Sequence, residues 1–160
     1  MKQEISSIQG SRRDFLALLG AGGVTLLSSA LFPRRSFATV AETLEAIEKL
    51  TGGKTPIEGK ISFEELPKIA ENGNTVPFTI SVESPMTDQD YVKAIHVLAE
   101  ENPKPDVVTF RLTPQSGKAW VKARMRLAKT QNVVAVAEMS DGAMYITKQK
   151  IKVTIGGCGG

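Results

Sequence analysis

The chain has 160 residues, 41% of them hydrophobic and 23% charged, which is the make-up of one ordinary globular domain. Its formal charge of +3 resides in the first 38 residues, where Lys2, Arg12, Arg13, Arg34 and Arg35 outnumber Glu4 and Asp14, and the remainder carries equal numbers of each sign. The basic isoelectric point therefore gives no ground for a nucleic-acid partner, and a single cysteine excludes an internal disulfide.

Ser11-Arg12-Arg13-Asp14-Phe15-Leu16 is a twin-arginine signature, followed by an apolar stretch from Phe15 to Phe32 that includes Gly20, Gly22 and Gly23. Ser36 and Ala38 place small residues at the −3 and −1 positions of a cleavage site. A retained membrane anchor or a buried helix would also use such a stretch, which approaches the ~18 residues needed to span. The glycines and the small-residue exit favour a cleaved signal over residues 1–38. That reading sends the mature chain to the periplasm, with no stable membrane association. Its lone thiol must there pair between molecules, react or stay buried.

One helix is expected next. Thr39 and Glu42 have capping-box spacing, Val40, Leu44, Ile47 and Leu50 lie near one face, and Gly52 is placed to stop it. Beyond Thr55 the pattern has period two. Phe78, Ile80 and Val82 alternate with Thr79, Ser81 and Glu83; Val108, Phe110 and Leu112 alternate with Thr109, Arg111 and Thr113. Ala119, Val121, Ala123, Met125 and Leu127 form one face of a further strand, opposite Lys118, Trp120, Lys122, Arg124 and Arg126. Tyr91–Glu101 fits both periods and is read as a strand, like its neighbours. Asn72-Gly73-Asn74, Ser84-Pro85, Asn102-Pro103 with Pro105, and Asp141-Gly142 punctuate these runs. The last pair, between Val133–Met139 and Met144–Ile155, predicts a hairpin with a primed turn and positive φ at both centres. About seven short strands give an all-β fold, an immunoglobulin-like antiparallel β-sandwich over residues 39–155, with a short N-terminal helix.

Residues 156–160 read as a flexible C-terminal arm, Gly156-Gly157-Cys158-Gly159-Gly160. Glycine on both sides of Cys158 leaves the backbone free to adopt almost any conformation and to enter a narrow channel. Five extended residues reach roughly 17 Å. A frayed end is the plain alternative, but a lone exposed thiol in an exported chain invites oxidation without a use for it. No cation sits within the tail to lower the thiol pKa, so activation falls to a partner. Cys158 is then a carried group and the chain is not itself an enzyme.

Other candidates are weaker. His96 is the only histidine and has no second ligand in a motif, so it reads as packed or solvated. Glu64-Glu65, Glu100-Glu101 and Asp88 with Asp90 read as solvated loop charges. No metal spacing, phosphate loop or cofactor motif is present in the sequence. Trp120 with Lys122, Arg124 and Arg126, and the stripe Lys148, Lys150 and Lys152, read either as charged outer faces or as docking surfaces.

The sequence resembles the SoxY family, sulfur carriers of the periplasmic thiosulfate-oxidising Sox system. The resemblance lies in the twin-arginine leader, Ala70-Glu71-Asn72-Gly73, Val82-Glu83-Ser84-Pro85-Met86-Thr87, Phe110 to Gly117, Arg124-Met125-Arg126-Leu127-Ala128, Ser140-Asp141-Gly142, and Val153-Thr154-Ile155 leading into the terminal motif. It implies a heterodimer with SoxZ and transient docking to SoxAX, SoxB and, where present, SoxCD. In such a cycle a c-type cytochrome enzyme joins thiosulfate oxidatively to the cysteine, sulfate is hydrolysed off, and the remaining sulfur is oxidised further. Two other classes end similarly. Ubiquitin-like carriers use a terminal Gly-Gly thiocarboxylate, which requires cytosolic adenylation and conflicts with the leader. A secreted structural sandwich would use Cys158 only to dimerise.

Overall fold

The computed structural model describes residues 40–156; the leader with Arg12 and Arg13, the capping residue Thr39, and Gly157 to Gly160 with Cys158 lie outside the described residues. One helix, α1 (Val40–Thr51), is followed by β1 (Ile57–Glu58), β2 (Ile61–Glu65), β3 (Ile69–Asn72), β4 (Val76–Val82), β5 (Val92–Ala99) and β6 (Asp106–Arg111). A 3-10 turn at Pro114–Ser116 leads to β7 (Trp120–Met125), β8 (Gln131–Met139) and β9 (Met144–Ile155). The larger sheet has the order β1-β9-β8-β5-β6 with β3 also on β9, and the smaller has the order β2-β4-β7.

Between the sheets lie the alternating residues that the sequence marks as apolar. Phe78, Ile80 and Ile95 are fully buried, and Val97, Val121 and Ile151 join them in one cluster. Phe78 meets Phe110 edge-on across the core, with ring centroids 6.3 Å apart. Burying side chains of this size contributes roughly 1.5–3 kcal/mol apiece. Tyr91–Glu101 contains the strand expected there, but both of its faces are buried. Ile95, Val97 and Ala99 point into the sandwich, and Leu98 joins Val134, Val136 and Met144 in a second cluster on the outer side.

Helix α1 covers that second cluster, and its contact face is Thr43, Ala46, Ile47 and Leu50. The face is therefore turned from the one expected: Val40 and Leu44 are 49% and 60% exposed. Thr43 and Ala46, in place of Val40 and Leu44, face the sheet. Gly52 ends the helix as expected, with φ +61°, and Gly53 N–H donates to Glu48 O at 3.0 Å, the six-to-one bond of a Schellman motif. Among the described residues no helix is long and apolar enough to cross a membrane.

Three further details depart from expectation. The sheets are antiparallel except at one edge, where β1 and β3 both run parallel to β9. The chain passes that edge twice: it pairs Ile57 with Tyr145, crosses to the small sheet as β2, and returns to pair Ile69 with Lys152. Gly59 and Lys60, at φ +119° and +54°, make the turn between the two visits. The hairpin at Asp141-Gly142 is a three-residue loop: Gly142 alone has positive φ, Gly142 N–H bonds to Met139 O, and Met139 N–H bonds to Ala143 O. A type I turn closed by a left-handed glycine satisfies the strand twist as well as a primed turn does. Asp141 instead uses its side chain, accepting Ala143 N–H at 2.8 Å.

His96, 8% exposed, sits on β5 with Nδ1 2.9 Å from Thr109 Oγ1. Burial holds its imidazole below the ordinary value of 6.5; Glu138 and Asp106 oppose this and Arg111 reinforces it. The native state thus favours the neutral ring. This contribution to stability is complete above the unfolded value and is lost as pH falls from about 6.5 toward the folded value. The urea midpoint should be level from pH 8 to 7 and decline between 6.5 and 5. In His96→Asn that decline should shrink; an unchanged decline would assign the effect to other groups.

Candidate functional site

The strand that leads into the cysteine is held differently along its length. From Met144 to Ile151 β9 pairs with β8, and Gln131 opposite Ile151 is the last of those pairs. Its inward side chains Tyr145, Ile151 and Val153 belong to the core, whereas Met144 and Ile146 lie under α1. Lys148, Lys150 and Lys152 continue the outer face into solvent. Among the described residues no carboxylate is within ion-pair distance of these three lysines.

Past Ile151 the strand loses β8 and gains substitutes. Thr130 stands in for a strand residue: its Oγ1 accepts Val153 N–H at 3.0 Å and donates to Val153 O at 3.4 Å. On the other edge β3 pairs Ala70 with Val153 and Asn72 with Ile155. Gly73 N–H then donates to Ile155 O at 2.7 Å, and Gly73 O accepts Leu127 N–H at 2.8 Å. The Asn72-Gly73-Asn74 turn is thereby tied both to the strand end and to the loop after β7. Asn72 Oδ1 shapes the turn by accepting Asn74 N–H at 2.8 Å.

Gly156 follows immediately. A Cβ built on it would lie 2.2 Å from Ala128 O, far inside any normal contact. Its φ lies outside the left-handed range, so close approach of two backbones, and not an unusual torsion, requires glycine here. The strand end is hydrogen-bonded on one edge as far as Val153 and on the other as far as Ile155, and Cys158 is three positions past Ile155 in the sequence.

The remaining candidates do not gather into a catalytic cluster. Glu65 pairs with Lys122 at 2.8 Å and accepts Thr79 Oγ1 at 3.0 Å, and these contacts, Lys122 first, hold its carboxyl below the ordinary value of 4.5. Glu64 sits where the β2 register shifts, and its Oε2 accepts the indole N–H of Trp120 at 2.8 Å. The adjacent glutamates thus have different partners and no shared proton. Glu100 accepts Asn132 Nδ2 at 2.6 Å, and Glu101 pairs with Lys129 at 2.6 Å. Asp88 and Asp90 are exposed in the loop before β5. Among the described residues no group of three His, Cys, Asp or Glu could hold a metal ion. Trp120 remains 46% exposed on the small sheet.

Sequence reasoning missed Asn102, Thr130 and Gln131, which brace the segment packed against Gly156. Asn102 was legible only as the residue before a proline, and Gln131 lies ahead of the expected strand Val133–Met139. Their partners lie between 2 and 30 residues away, at no fixed spacing that a linear pattern could expose.

Comparison with known proteins accords with this arrangement. The family model described as "Sulfur oxidation protein SoxY" matches residues 47–158, a span that ends on Cys158. The sulfur carrier protein SoxY from Chlorobium limicola f thiosulfatophilum superposes with a TM-score of 0.59 at 33% identity, over 73% of this chain and 100% of that one. A superoxide reductase (neelaredoxin) from Ignicoccus hospitalis gives 0.53 at 16% identity, over 59% of this chain and 80% of that one. A superoxide reductase structure from Thermotoga maritima, described as putative, gives 0.50 at 17%, over 58% and 84%. The last two share the fold alone. No curated protein matches the chain. With the family match covering most of its length and 33% identity to a solved member over 73% of the chain, the chain belongs to the SoxY family of sulfur oxidation proteins.

Proposed function

We propose that this protein is a periplasmic sulfur carrier that binds thiosulfate-derived sulfur covalently through Cys158 and presents it to separate enzymes. The observation that carries the reading is the way β9 ends: it is hydrogen-bonded as far as Ile155, passes Gly156 close against Ala128 O, and leads in the sequence directly into a glycine-flanked cysteine. The match to the SoxY family extends to that cysteine, and the solved Chlorobium protein is itself described as a sulfur carrier. Counted from Gly156, two extended residues carry the cysteine about 7 Å outward, a reach that suits presentation of a thiol to a partner's site.

In this reading the chain supplies position and the partners supply chemistry. A cytochrome enzyme of the SoxAX type removes two electrons as the thiolate and thiosulfate join through a new S–S bond. A SoxB-type hydrolase releases sulfate, and a SoxCD-type dehydrogenase, where present, oxidises the sulfur left on Cys158. SoxZ is the expected heterodimer partner. Replacing Cys158 with serine should abolish thiosulfate oxidation in a reconstituted system while the thermal midpoint stays within about a degree of wild type, because Cys158 follows the last strand in the sequence and serine is nearly its isostere. Oxidation persisting in Cys158→Ser would remove the carrier role.

The twin-arginine leader belongs to the same proposal. That route moves folded cargo, and a chain with no cofactor to insert gains from folding first if it must carry out a partner lacking its own signal. The exposed Trp120 and the charged outer faces offer surface for such a complex. Changing Arg12 and Arg13 to lysine should leave both this chain and its SoxZ partner in the cytoplasm, as read by fractionation. A partner that still reaches the periplasm would show that the two chains travel separately.

A further inference from the structure

The base of the tail is packed against a loop whose shape depends on two buried amides. Asn102 and Gln131 are 8% and 3% exposed, at opposite ends of the sequence gap that contains β6 and β7. Asn102 Oδ1 accepts Ala128 N–H at 2.9 Å and Gln131 Nε2 at 3.0 Å, and Asn102 Nδ2 donates to Arg126 O at 2.8 Å. Gln131 Nε2 also donates to Lys129 O at 3.1 Å, and its Oε1 accepts Glu101 N–H at 2.8 Å. Between them the two side chains fix backbone groups of Arg126, Ala128 and Lys129. Leu127, with no exposed surface, anchors the same loop in the core.

Such a loop cannot easily yield. Buried amides that lose a partner cost about 1–3 kcal/mol each, so a shift of Ala128 breaks several bonds together. Ala128 O is the atom against which Gly156 is seated, and Thr130 from the same loop holds Val153. On the other side Gly73 holds Ile155 and is itself held by Leu127. The loop 126–130, the turn 72–74 and the end of β9 are therefore linked by hydrogen bonds up to Ile155, with Gly156 lying close against Ala128 O.

We propose that Asn102 and Gln131 are positioning residues for the carrier reaction: by bracing loop 126–130 against Gly156 they set the point and direction at which the cysteine-bearing tail leaves the domain. The proposal rests on the carrier reading of Cys158. A thiol two residues beyond a fixed point is about 7 Å away, and a tilt of roughly 20° at that point moves it about 2.5 Å. A displacement of that size decides whether a nucleophile meets a reacting atom within a partner's site. The glycines after Gly156 supply the reach, and Gly156 supplies the fixed end.

The test uses a nitroxide on Cys158, the chain's only cysteine, and a second on a cysteine introduced at Ser62, exposed on β2 of the small sheet. Pulsed dipolar spectroscopy then gives the distribution of distances between tail and domain. Asn102→Ala should broaden that distribution about twofold or displace its mean, and Gly156→Ala, whose methyl has no room, should do the same. Asn102→Asp retains acceptors for Ala128 and Gln131 but loses the donor to Arg126 O, and should fall between. Val97→Ala, in the core away from the loop, serves as a variant that lowers the thermal midpoint without touching the ring. An unchanged distribution in both Asn102→Ala and Gly156→Ala would overturn the proposal, as would equal broadening in Val97→Ala at matched loss of midpoint. Because the distances are read without any sulfur substrate, their outcome is independent of whether Cys158 carries sulfur.

Discussion

A strand that ends in a free tail tends to fray, because its last backbone groups have fewer neighbours and little side-chain burial to hold them. In this protein the difficulty is acute, since the last strand borders the edge of its sheet and is followed by four glycines and one cysteine. The solution is hydrogen bonding on both sides of β9 beyond the point where β8 stops, from a side-chain hydroxyl on one edge and from backbone on the other. Thr130 takes the place of a strand residue on one side, and β3 with Gly73 pairs on the other. The return of the chain to the β9 edge as β3, parallel to β9, supplies this pairing, whereas β1 pairs at the far end of the strand, at Tyr145 and Ile146.

The rest of the domain supplies stiffness behind that edge. β5 and β8 are buried on both faces, by the small sheet on one side and by α1 on the other. An exposed outer sheet face would leave Leu98, Val134 and Val136 in water and weaken the strands adjoining β9. The helix removes that surface, and the outer face of β9 becomes lysine-rich where the helix ends.

The sandwich was legible in the sequence because strands with one buried face impose a strict alternation, and Phe78–Val82 and Ala119–Leu127 show it without interruption. The hairpin at Asp141-Gly142 was legible as a hairpin, although its turn type depends on one torsion at Asp141 that the residue pair leaves open. The helix face was misjudged by Val40 and Leu44, because an apolar residue at the right spacing is buried only if the surface opposite extends that far. The parallel pairings of β1 and β3 were not legible at all: segments of two and four residues carry too little pattern. The bracing by Asn102 and Gln131 was hidden for a different reason. Buried amides recognise backbone atoms, which every residue has, so nothing in the identity of their partners marks the contact.

If the sulfur in transit resides on one atom, the Cys158 thiol, every adduct maps to the C-terminal peptide. The most direct measurement is the intact and peptide mass of protein purified from cells supplied with thiosulfate. The account predicts added sulfur and sulfonate on the C-terminal peptide alone, with disulfide-type adducts released by a thiol reductant. Additions elsewhere on the chain, on the terminal carboxyl, or persisting in Cys158→Ser would contradict it.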